Sequence, residues 1–185
     1  MNIPTPQKGH LLIAAPSILT DSSFNRSVIL LTEHTAHNTV GFILNKLTDF
    51  TLMDLIPTSK CDFQVFQGGP VEQDNLYFVH KLPELIPESI EIGNGLYWGG
   101  DFDTVLELLE KNAIEAKQIR FFLGYSGWAS NQLNKELAFD SWFCIENQYP
   151  QIFNEDIASF WKNHLLKTGG TYSLWANAPA DPSLN

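Results

Sequence analysis

Positive charge is scarce in this chain. Its 185 residues carry 11 Lys and Arg against 21 Asp and Glu, a net charge of −10. Grip on a nucleic-acid backbone needs clustered cations that displace counterions, and there are few here to cluster, so no direct contact with nucleic acid is expected. Long apolar runs are missing as well. The longest clean one is Val28-Ile29-Leu30-Leu31, far short of the ~18 residues that cross a bilayer, so no membrane span is expected. The opening Met1-Asn2-Ile3-Pro4 lacks the basic-then-apolar layout of a secretory leader. Two cysteines, Cys61 and Cys144, make no disulfide framework, and neither lies in a C-x-x-C motif that would carry redox catalysis. Neither a repeat nor a low-complexity tract is visible. Together these absences predict a soluble, cytoplasmic protein.

What is present is enough apolar material for a core: AVILMFWYC make up 44% of the chain. The acids are unevenly spread. Between residues 54 and 110 eleven of them face only Lys60 and Lys81, which accounts for nine of the ten net negative charges. That stretch reads as a solvated face, or as a surface for a basic partner.

Short apolar runs bounded by turn residues predict strands at 11–15, 27–32, 40–44, 63–66, 76–80, 90–92, 119–125 and 141–145. Helical spacing predicts one turn at 52–56, a helix capped by Asp103, another over 130–137, and a last one capped by Asn154 and stopped at Gly169. The polar, proline-rich ends, 1–8 and 178–185, read as tails. Strands come first and mixed elements later, without strict βαβ alternation. The expected class is therefore α+β, in one domain spanning 1–185.

Few side chains assemble into recognisable chemistry. Gly124-Tyr125-Ser126-Gly127-Trp128 resembles a nucleophile elbow, but Trp128 stands where that motif needs glycine, and no histidine is paired with Ser126. A turn of small residues, with Tyr125 and Trp128 anchored in the core, is the simpler expectation. His34 and His37 share an H-x-x-H spacing in a turn without an evident third ligand, so no metal site is expected. Cys61 is expected to be exposed and Cys144 buried. Gly68-Gly69-Pro70 is either a strained turn or a pair of N–H groups aimed at an anion. Arg26 and Asn45 each stand at the end of an apolar run, where a rich hydrogen-bonding group must find partners. The sharpest reading joins them into one polar ligand pocket built by Arg26, His34, Asn45, the Gly68 and Gly69 backbone and Tyr125. No catalytic residue, metal ligand or cofactor site is assigned.

Several of these segments occur together and in order: Gly9 to Ala14, Phe24 to Leu31, Glu33-His34, Val40 to Asn45, Gly68-Gly69-Pro70-Val71, and Gly124 to Trp128 followed by Gln132-Leu133 and Glu136. In this the chain closely resembles the AlgH/YqgE family of bacterial proteins, from about Gly9 to Trp161. Its last five residues look like the tail of the Bacteroidetes-type members. The resemblance implies an α+β domain whose bent mixed sheet folds into a barrel-like core with flanking helices. It supplies no established activity, although some members are described as transcriptional regulators. The family pattern often has alanine where this chain has Ser126, which argues further against a serine nucleophile. Acidity and the unassembled reactive groups favour a non-enzymatic binding or regulatory module acting through an unknown protein or small-molecule ligand, without gripping DNA. The alternative is a small-molecule enzyme with His34 as acid/base and Arg26 as anion clamp. Five Trp and thirteen Phe leave room for an apolar patch that supports an oligomer.

Overall fold

Apolar runs too short to be helices become strands. In the computed structural model, which describes residues 4–18, 20–147, 152–154, 156–169 and Ala176, they join a 10-stranded sheet. The strands are β1 (Leu11–Ala14), β2 (Val28–His34), β3 (Asn38–Ile43), β4 (Leu47–Thr51), β5 (Gln64–Gln67), β6 (Val71–His80), β7 (Ile90–Gly93), β8 (Leu96–Trp98), β9 (Ile119–Ala129) and β10 (Trp142–Ile145). The α-helices are α1 (Leu52–Leu55), α2 (Phe102–Glu110), α3 (Gln132–Ala138) and α4 (Ile157–Thr168). The α+β class is the one expected.

The topology turns on β9, the longest strand at 11 residues. Phe121–Leu123 lie parallel to β5, while Ser126–Ala129 run antiparallel to β3. β6 pairs antiparallel with Ile119–Leu123 and with Tyr125. One part of the sheet therefore runs β10-β1-β2-β3-β9, and the other runs from β9 through β6 and β8 to β7, with β4-β5 alongside. The change of neighbour falls at Gly124, whose φ of +67° is left-handed in the middle of a strand. Two apolar cores follow. One, with Leu12, Leu30, Phe42 and Phe122, packs the first part against Phe160, Trp161 and Leu165 of α4. The other, with Val65, Phe78 and Phe121, packs the second part against Val105 and Leu109 of α2.

Four expectations change. The sheet is not closed into a barrel, because β10 and β7 end their rows without pairing to each other. Ser126 sits inside β9 rather than in a turn, fully buried, with its hydroxyl donating to the Gly68 carbonyl at 3.0 Å. Cys61 is buried, its thiol within 3.3 Å of the Asn112 side-chain oxygen. Asp101 and Asp156 cap α2 and α4, not Asp103 and Asn154, because their carboxylates accept the first free N–H groups. The tail at 4–8 forms no strand or helix, and the expectations for 1–3 and 178–185 lie outside the described residues.

Candidate functional site

The β2–β3 hairpin closes on its own side chains. The Thr35 hydroxyl donates to the Asn38 side-chain oxygen at 2.6 Å and accepts from the N–H groups of His37 and Asn38, at 3.2 and 3.1 Å. Pairing of Asn38 with Ala129 and of Thr39 with Trp128 carries this tip to the end of β9. There Asn131, at φ +60°, turns the chain into α3. The Ser130 hydroxyl bridges to the Ala36 carbonyl at 3.0 Å, and Gln132 Oε1 accepts from the Ala129 N–H at 3.1 Å. Between the two walls lies a cleft of about 490 Å³. His34, Thr35, Asn38 and Thr39 face it from the hairpin, and Ser130, Asn131, Leu133 and Asn134 from the other side.

The cleft is polar and lined by no lysine, arginine or carboxylate: among its lining residues the one titratable side chain is His34. His34 Nδ1 lies 2.7 Å from the Thr39 hydroxyl, which fixes the ring. Nearby, the His10 pKa is lowered by burial, raised in part by Glu146 and lowered again by His34. His10 Nδ1 is 3.5 Å from the Cys144 sulfur. Burial pushes that thiol up to about 12, so it keeps its proton and is no nucleophile at neutral pH. Among the described residues no group of three or more His, Cys, Asp or Glu could share a metal.

The expected pocket residues do not come together. His34 alone lines the cleft. Arg26, at φ +53°, lies before β2 and sets its guanidinium 5.0 Å from the Trp161 ring. Asn45 donates to the Arg26 carbonyl at 2.9 Å and accepts from the Val28 N–H at 2.8 Å, so it pins the start of β2. The seven residues of β2, about 20 Å of extended chain, separate that point from His34. Gly68 and Gly69 are a backbone crossing rather than an anion nest. A Cβ on Gly68 would stand 2.1 Å from the Gly124 oxygen, and one on Gly69 2.2 Å from the Tyr125 carbonyl carbon. Tyr125 is half-buried, its ring edge-on to Tyr77 at 5.8 Å. The proton-transfer set of Arg26, His34 and Asn45 is therefore not assembled. What sequence reading missed is the group Asn38, Ser130, Asn131 and Asn134. Its signal was the polar run Ser130-Asn131, which looked like ordinary turn chemistry.

Comparison with known proteins places these features in context. A family model described as AlgH-like matches residues 11–173. A UPF0301 protein of Bacteroides fragilis is 42% identical over 183 residues, covering 97% of this chain and 92% of that one. One from Cytophaga hutchinsonii is 41% identical over 180 residues, covering 96% and 98%. Among solved structures, the AlgH protein from Pseudomonas aeruginosa superposes with a TM-score of 0.72 at 24% identity, over 97% of this chain and 98% of that one. A protein from Corynebacterium diphtheriae gives 0.76 at 22%, over 96% and 95%. At those identities the structural likeness speaks to the fold. No described helix is long and apolar enough to cross a membrane.

Proposed function

The chain belongs to the AlgH-like family, and from that premise we propose that it is a binding and regulatory module that holds a small ligand in the cleft between the hairpin tip and α3. The observation that carries this reading is the chemistry of the lining. Beside His34, whose Nδ1 is held by the Thr39 hydroxyl, the lining offers the carboxamides and hydroxyls of Thr35, Asn38, Ser130, Asn131 and Asn134, which donate and accept hydrogen bonds but exchange no proton near neutral pH. Such a surface recognises a ligand without transforming it. Any effect on transcription then passes through the ligand or a protein partner, because a net charge of −10 repels a phosphate backbone.

Two measurements test the proposal. In a fragment screen followed by 1H–15N correlation spectra, binding should move signals of residues 34–39 and 129–134 saturably. A titration with duplex DNA at low salt should leave the spectrum unchanged. Tight DNA binding by the isolated protein, or a fragment set that never moves the cleft signals, would refute the reading.

A further inference from the structure

We infer that the ligand of this cleft is a neutral polyol, a sugar of one or two rings. The inference rests on the binding reading above and narrows it to a chemical class.

Most backbone groups of the hairpin tip and of the β9 end are already engaged. The Ala36 carbonyl takes the Ser130 hydroxyl, and the Asn38 carbonyl takes the Thr35 N–H at 2.9 Å. The N–H groups of His37 and Asn38 sit on Thr35, and that of Ala129 sits on Gln132. The Asn131 carbonyl accepts from Lys135 N–H at 3.2 Å. An extended peptide, which binds by adding to a strand edge, finds no free ladder here. Recognition falls to side chains.

Those side chains suit hydroxyls. Asn131 and Asn134 are exposed on the cleft wall, and the Asn131 carboxamide does not cap α3. The side-chain oxygen of Asn38 accepts from Thr35, which leaves its NH2 group to donate. A carboxamide sets a donor beside an acceptor, and adjacent sugar hydroxyls present the same alternation. Ionic ligands fit poorly, since a phosphate would lose its water without a lysine or arginine, and an ammonium without a carboxylate. The volume of about 490 Å³ lies within the ~300–1,000 Å³ usual for small-ligand sites.

The test titrates 15N-labelled protein with glucose, mannose, galactose, N-acetylglucosamine, maltose and chitobiose. Glucose 6-phosphate, glucosamine and a capped tripeptide are run in parallel. At least one neutral sugar should move the side-chain NH2 signals of Asn38, Asn131 and Asn134, with little dependence on salt. Asn131→Gly, which keeps the left-handed turn at φ +60°, and Asn134→Ala should each weaken that binding by about tenfold while leaving the melting temperature in place. The inference is overturned if no neutral sugar moves these signals, or if a charged derivative or the tripeptide binds tighter than every neutral sugar. If other fragments move them while sugars do not, the polyol class falls and the binding reading stands. If nothing moves them, both fall.

Discussion

A buried guanidinium is costly unless something answers its charge. Arg120 is 8% exposed, and among the described residues no carboxylate is paired with it. Its terminal nitrogens donate to the carbonyls of Leu44 at 2.8 Å and Phe153 at 3.0 Å, and its plane lies 4.1 Å from the Phe66 ring and 4.9 Å from Phe153. Burial brings its pKa down to about 10, so it stays charged at neutral pH. Two carbonyls and two π faces do the work of an anion. Arg120→Met should therefore lower stability by about 3 kcal/mol in urea unfolding, because it strips two buried carbonyls of their donors. His80 is fully buried; its Nδ1 accepts from the Leu82 N–H, so Nε2 carries the proton and donates to the Gly99 carbonyl. Burial lowers its pKa, against a smaller opposing pull from that carbonyl, and burial lowers His10 likewise. The unfolded chain then takes up these protons first as pH falls. Stability is complete above the ordinary histidine value of 6.5 and declines below it. The urea midpoint should be lower at about pH 5.5 than at about pH 7.5, and His80→Asn should shrink that difference even though it lowers both midpoints.

At the scale of elements, α3 shows how a short helix is held. Its seven residues are too few to be stable alone. Glu136 Oε2 accepts from the indole N–H groups of Trp128 and Trp142, both at 2.8 Å, and Oε1 accepts from Gln132 at 2.9 Å. One carboxylate thus pins the helix to β9 and β10. Glu136→Ala should cost about 2–3 kcal/mol and shift the tryptophan fluorescence. It should also blur the cleft signals, because Leu133 and Asn134 ride on the same helix. The Leu133–Leu137 spacing made α3 legible in the sequence; Glu136 entered only through the family resemblance, since one glutamate on a helix carries no visible partner. β4 was not legible. Its exposure alternates poorly, and the Thr48 hydroxyl bonds to the Val65 carbonyl where the ladder is irregular. No period-two pattern survives such a bulge.

Across the whole molecule, the seam where β9 changes neighbours is the sensitive point. Gly68, Gly69 and Gly124 let two backbones cross at a distance that admits no side chain. Gly68→Ala should destabilise by about 3 kcal/mol or more, or prevent folding, because the methyl would overlap the backbone oxygen of Gly124 and crowd the buried Phe42 ring. Gly95→Ala is the contrast. Nothing lies within 4 Å of its Cβ, so only the left-handed φ of +74° is penalised, at about 1 kcal/mol. Melting curves of the two variants measure the difference. The negative charge and the cleft also belong to different halves: the acids of 54–110 lie on and between the elements from α1 to α2, the cleft on β2, β3, the end of β9 and α3.

Composition and short-range pattern determined the element types, the apolar runs that become strands and the scarcity of clustered cations. These are properties of neighbours along the chain, and they survive without knowing what lies opposite. The tertiary structure alone decided which loops meet. Ser130 reaches Ala36 across 94 positions, and Arg26 parts from His34 because an extended strand puts its ends far apart. Side chains that look adjacent in a list of motifs converge only where strand register brings their backbones together, and register depends on pairings that no local pattern encodes.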